Sequence, residues 1–181
     1  RYVGFDAETA RWLRLLHPLA QPHFESIAVD FYDAIEHDDT VSGLILGGSL
    51  QIQRLQRTLV RWMDSALLGP HDETYLATRS RIGHVHVRIS LPQHYMLGAM
   101  NRIRRRLGAL VDGLEDPAHR PHVRDALETL LDLELAIMLD SYRLHLQERL
   151  RGSERLATIG QLAASIGHEL RNPLGIIESS V

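Results

Sequence analysis

The chain has 181 residues, of which 44% are apolar, enough for one compact domain with an appended element. A net charge of −3, from 20 basic and 23 acidic residues, offers no global field for nucleic acid or an anionic membrane, and zero cysteines exclude disulfides and thiolate metal sites. The longest apolar run is well short of the roughly 18 residues that span a bilayer, and Arg1-Tyr2-Val3-Gly4 lacks the apolar stretch of a signal peptide, so the expected setting is the cytosol.

Apolar residues recur at helical spacing nearly throughout, which predicts an all-α fold. The start and stop signals delimit helices over about 7–18, 22–37, 49–68, 72–88, 92–112 and 121–150. The second carries Phe31-Tyr32, and the third carries Leu55, Thr58 and Leu59 on or near one face. Between the fourth and fifth, Ser90 and Gln93 fit a capping box with Pro92 in the first turn. The fifth bears the basic cluster Arg102, Arg104, Arg105 and Arg106, which reads as a solvated face. The sixth is apolar along two stripes, Leu127, Leu131, Leu135, Met138, Tyr142, Leu146 and Leu150, and Leu130, Leu133, Ile137 and Leu144. A helix apolar on two sides must bury both, either wholly inside its own domain or with one side against a second copy of the chain. After the polar break Arg151-Gly152-Ser153-Glu154 the amphipathic pattern resumes at Leu156, Ile159, Leu162, Ile166 and Leu170. Residues 1–150 therefore read as one domain, and residues 151–181 as a linker leading into the start of another.

Two segments carry chemistry. His168-Glu169-Leu170-Arg171-Asn172-Pro173-Leu174 resembles the phosphoacceptor box of sensor histidine kinases. The resemblance implies that His168 is the phosphoacceptor, that Glu169 orients or deprotonates the imidazole, and that Pro173 bends the helix. The chain ends a few residues further on and has no Gly-rich nucleotide motif, so on its own it is expected not to turn over ATP.

Arg81-Ile82-Gly83-His84-Val85-His86-Val87-Arg88-Ile89, followed by Tyr95-Met96-Leu97, resembles the proximal helix and following turn of globin-coupled sensors, bacterial haem proteins whose globin domain controls an attached output module. The resemblance implies haem b with His86 as the axial iron ligand. His84 is the competing candidate, but residues two apart on a helix point to different faces, so both cannot reach one iron. By the same resemblance Tyr32 is the distal tyrosine that donates a hydrogen bond to bound dioxygen, and Leu55, with Thr58 and Leu59 beside it, lines the distal pocket. Tyr95 matches the tyrosine that approaches the proximal histidine, although the loop before it is one residue shorter than the family pattern.

The expected protein is thus an all-α globin-like domain whose long C-terminal helix forms a dimer bundle and continues into the first helix of a histidine-kinase dimerisation domain. Expected partners are O2, with CO, NO and cyanide as further ligands, a second copy of the chain, and a response regulator for the full-length kinase of a bacterial cytoplasm. Neither nucleic acid nor membrane is expected. A competing reading is a haem-free globin-fold module that dimerises and answers a protein or lipid ligand. A third, a haem peroxidase or dioxygenase, needs distal acid–base groups where Leu55 and Leu59 stand.

Overall fold

Three aspartates start three of the helices by the same device. Asp6 accepts from the Thr9 amide at 2.8 Å to open α1 (Ala7–Ala20), and this bond holds its carboxyl below the usual carboxylate range. Asp38 accepts from the Thr40 and Val41 amides at 3.0 and 3.2 Å to open the short α3 (Asp39–Ser42), and Asp72 accepts from the Tyr75 amide at 2.9 Å to open α5 (Glu73–Arg88). The remaining helices are α2 (Phe24–Glu36), α4 (Gly48–Leu68), α6 (Gln93–Leu110) and α7 (Arg120–Glu178), with short 3-10 turns at Gln21–His23, Val111–Gly113 and Pro117–His119. The computed structural model describes the backbone of residues 4–178 and the side chains of residues 4–159, 161 and 162. No strand occurs among the described residues, and none of their helices is long and apolar enough to cross a membrane.

Two features differ from the sequence reading. The last expected helix does not end near residue 150: α7 runs on through the polar stretch Arg151-Gly152-Ser153-Glu154 and joins the two amphipathic segments by helix, since the one glycine, Gly152, costs a helix only about 1 kcal/mol. Ser90 does not cap α6, whose N-cap is Pro92 with no side-chain bond. It terminates α5 instead, at φ 56°, with its amide donating to the Val87 carbonyl at 2.9 Å and the Leu91 amide donating to the His86 carbonyl at 3.0 Å. That pair of bonds is a Schellman closure, and Ser90 holds the left-handed position that glycine usually takes there.

The chain divides into two compact units, Arg1–Tyr142 and Arg143–Val181. The core of the first is built by five helices: Leu13 and Leu16 of α1, Phe24 and Ile27 of α2, Met63 and Leu67 of α4, Ile103 and Leu107 of α6, and Leu127, Leu130 and Leu131 of α7. Each of these aliphatic or aromatic side chains contributes about 1.5–3 kcal/mol by burial. α5 adds only the half-buried Ile82 to this core. A smaller cluster of Val41, Leu91, Met96 and Met138 gathers Ile35, Leu44, Tyr95 and Tyr142 and shares Ile82 and Leu135 with the first. As far as Met138 both apolar stripes of α7 are buried or half-buried within the first unit, Leu133 and Leu135 being the half-buried ones. In the second unit Leu144, Leu146, Leu150, Leu156, Ile159 and Leu162 are exposed.

Candidate functional site

A four-residue turn, Gly69 to Asp72, joins α4 to α5, and a charged cluster beyond it links both helices to α7. Gly69 ends α4 at φ 74°, a left-handed conformation that suits glycine, and the His71 ring bonds back to the Ala66 carbonyl at 2.8 Å. About two turns further along, Arg79 is 3% exposed and Glu134 of α7 is 0% exposed. Arg79 Nε donates to Glu134 Oε1 at 2.7 Å, while its Nη2 donates to the Trp62 carbonyl and Ser65 Oγ, each at 3.1 Å. The guanidinium lies over the Tyr75 ring at 4.4 Å and the Trp62 ring at 5.3 Å. Tyr75 donates its hydroxyl to the same Glu134 oxygen, and burial followed by the adjacent carboxylate pushes the phenol pKa up. A buried ion pair of this kind fixes geometry more surely than it adds stability.

This clasp orients two faces. Away from the turn, the face of α4 that carries Trp62 continues through Leu59 to Leu55, and the face of α5 that carries Arg79 continues through Ile82 to His86. At 1.5 Å per residue both Leu55 and His86 stand roughly 10 Å beyond the clasp. Leu55 and Leu59 are half-buried, and Leu59 packs on the main core. Thr58 is exposed, its hydroxyl donating to the Arg54 carbonyl at 3.0 Å and accepting from Arg61 at 3.4 Å.

The two histidines of α5 differ sharply. His84 is exposed, its Nδ1 2.7 Å from the Ser80 carbonyl. His86 is half-buried; burial pushes its pKa below the ordinary histidine value, an effect partly opposed by the Ile82 carbonyl one turn back. Its Nδ1 is buried without a well-formed hydrogen bond. A neutral imidazole has one nitrogen lone pair to offer a metal while its other nitrogen faces the protein, as Nδ1 does here. Around it α5 is lightly covered, since its only buried residues are Arg79 and Gly83, whereas Val85 and Ile89 are 49% and 41% exposed.

On α2, Tyr32 is half-buried with Phe31 edge-on at 5.2 Å, and burial pushes its phenol up to about 12. The hydroxyl is therefore a proton donor throughout the neutral range. Tyr95 donates to Asp38 Oδ1 at 3.2 Å, which ties α6 to the cap of α3. The basic cluster of α6 is partly neutralised, Arg104 by Asp132 and Arg106 by Asp30. The latter pair lines a cleft of about 360 Å³ between α2 and α6, away from His86. His168 and Glu169 have helical backbone, but their side chains lie outside the described residues.

Sequence reasoning missed Arg79, Glu134 and Ser141. A signal existed for the first two: Arg79 stands two helical turns before His86, and Glu134 falls on the apolar row of its helix, four residues from both Leu130 and Met138.

A family model described as Protoglobin matches residues 1–148. Among solved structures, the globin domain of the Geobacter sulfurreducens globin-coupled sensor is 34% identical with a TM-score of 0.74, over 78% of this chain and 93% of that one. The ferric globin domain of E. coli DosC shares the fold at 17% identity and a TM-score of 0.63, over 75% of this chain and 99% of that one. Among curated relatives, the heme-based aerotactic transducer HemAT of Halobacterium salinarum is 23% identical over 192 residues, 99% of this chain but 38% of the transducer. Sporulation kinase E of Bacillus subtilis is 43% identical over 51 residues, 28% of this chain and 7% of the kinase. The chain thus spans well under half the length of the curated relatives it matches.

Proposed function

The chain belongs to the protoglobin family, and from that premise we propose that it is the haem-based O2-sensing domain of a sensor histidine kinase, with His86 as the axial ligand of haem b. The observation that carries this reading is His86 itself, half-buried, with its pKa lowered by burial and its Nδ1 turned into the protein, on the face of α5 that continues from the Arg79 clasp. Among the described residues no group of three or more His, Asp or Glu side chains could hold a metal ion. A single histidine suits an iron whose equatorial ligands come from a macrocycle. The bound haem would supply an iron centre for diatomic gases; the remaining roles fall to the chain. Leu55 and Leu59 exclude water from the distal side, Tyr32 donates its buried hydroxyl to a polar diatomic ligand, and the exposed Val85 and Ile89 supply apolar surface for a porphyrin face to cover. The names of HemAT and of the Geobacter and DosC globin domains support the sensor role.

The output assignment rests on the His168-Glu169-Leu170-Arg171-Asn172-Pro173 box and is supported by the similarity to sporulation kinase E. In this reading His168 accepts a phosphoryl group from ATP held by a further domain and passes it to a response regulator, and Glu169 acts as its base. The exposed apolar side chains of the second unit, from Leu144 to Leu162, are covered in a homodimer. The protein would work in a bacterial cytoplasm. The absorption spectrum of purified protein tests the central claim: an intense Soret band is expected, lost in His86→Ala and kept in His84→Ala. Retention in the first with loss in the second would move the ligand to His84, and an unmutated protein without the band would refute the haem reading.

A further inference from the structure

A histidine that ligates a metal ordinarily donates its other ring N–H to a fixed partner, which sets the ring's position. For His86 Nδ1 the one group in that role is the Ile82 carbonyl of its own helix, without a well-formed hydrogen bond, and no side chain of another helix takes it. Its placement has to come from the backbone of α5, and that backbone is fastened on either side of His86 to two successive residues of α7. One turn before it, Gly83 is buried so closely against α7 that a Cβ there would stand 2.8 Å from Ser141 Cβ and 3.5 Å from Met138 Cα. Ser141 is 2% exposed, and its hydroxyl donates to the Ile137 carbonyl at 3.2 Å and to the Ser80 carbonyl of α5 at 3.4 Å. Beyond it, Tyr142 donates its hydroxyl to the Leu91 carbonyl at 2.8 Å, and the Leu91 amide in turn donates to the carbonyl of His86 itself.

We propose that Ser141 and Tyr142 of α7 are positioning residues for the axial ligand: the Gly83–Ser141 approach sets how close α5 lies to α7, and Tyr142 fixes the end of α5 through Leu91. The proposal rests on the haem reading given above. Carbon atoms pack at about 3.5–4.0 Å, so an alanine at 83 has to push the two helices apart by roughly 1 Å, carrying His86 with it. Tyr142→Phe removes only the hydroxyl. Ser141→Gly removes the obstacle, so that an alanine at 83 finds room and Met138 Cα stays at ordinary contact distance.

The test is the iron–histidine stretching frequency of the ferrous, ligand-free protein by resonance Raman, for the unmutated chain, Gly83→Ala, Ser141→Gly, the Gly83→Ala/Ser141→Gly double variant, and Tyr142→Phe. Gly83→Ala and Tyr142→Phe are expected to shift the frequency, and the double variant to return it toward the unmutated value. A purely structural role for Ser141 would change stability and leave the frequency alone. A Gly83→Ala frequency equal to the unmutated one, or a double variant as displaced as Gly83→Ala, overturns the proposal. Should Gly83→Ala not fold, Ser141→Gly and Tyr142→Phe decide, since neither adds bulk; unshifted frequencies in both overturn it. An unmutated protein that takes up no haem refutes the sensor reading itself, whereas haem-loaded variants with indifferent frequencies refute only the positioning role.

Discussion

Removing one partner of the Arg79–Glu134 pair should cost far more than removing both, and unequally according to which is removed. In Arg79→Met, Glu134 is left 0% exposed with only the Tyr75 hydroxyl on Oε1, and its Oε2 is already without a partner. An uncompensated buried charge of this kind costs about 3–5 kcal/mol. In Glu134→Leu the orphaned guanidinium keeps the Trp62 carbonyl, Ser65 Oγ and the faces of Tyr75 and Trp62, so the loss falls near the lower end of that range. The double variant Arg79→Met/Glu134→Leu fills the site with apolar groups of similar volume and should be within about 1 kcal/mol of the unmutated protein, or more stable. Against a domain stability of about 5–15 kcal/mol, the first change removes a third or more and lowers the melting temperature by roughly 10–20 °C. Urea unfolding of the haem-free proteins, followed by helical circular dichroism, gives the three values. Additive single-variant losses in the double variant, or a loss below about 1 kcal/mol in Arg79→Met, would show that the charges are solvated and the clasp is not a coupled unit.

Tyr32→Phe deletes one hydroxyl and keeps the ring against Phe31; if the phenol donates to a bound, partly charged ligand, the lost bond is worth about 1.5–3 kcal/mol, or roughly ten-fold to more than a hundred-fold. Stopped flow on the ferrous protein should then read O2 dissociation at least about ten-fold faster with CO dissociation little changed, and equal small effects on both gases would mean that Tyr32 points elsewhere. Leu150, 56% exposed, tests self-association: Leu150→Glu is expected to weaken the dimer in sedimentation, and an unmutated chain that is monomeric at micromolar concentration refutes it.

Helix positions were legible because apolar spacing and aspartate caps are local signals, and the six expected helices match α1, α2, α4, α5, α6 and the first half of α7 closely. The four-residue α3 escaped because one turn leaves no periodicity to count. Ser90 was misread for a different reason: serine favours N-caps in general, and only the tertiary contacts of Leu91 decide that here it takes a left-handed C-terminal position. The two stripes of α7 were visible, but a pattern cannot say what covers an apolar face, and as far as Met138 the chain covers both itself. The contrast between the half-buried His86 and the exposed His84 follows from spacing to Ile82, whereas the pairing of Arg79 with Glu134, 55 residues apart, exists only once the helices are packed.

That last pairing explains how α5 differs from its neighbours. α1, α2, α4, α6 and α7 each bury several apolar side chains in one core, so displacing any of them exposes oil-like surface at about 25 cal/mol per Å². α5 buries only Arg79 and Gly83, and is held by an ion pair, a close backbone approach and one carbonyl accepting from Tyr142. Polar fastenings of this kind are directional: they resist sliding and rotation at the points where they act. His86 lies between two of them, at Gly83 and Leu91. A helix with so little apolar burial, anchored at defined points to α7, can shift slightly without disturbing the core that keeps the domain folded.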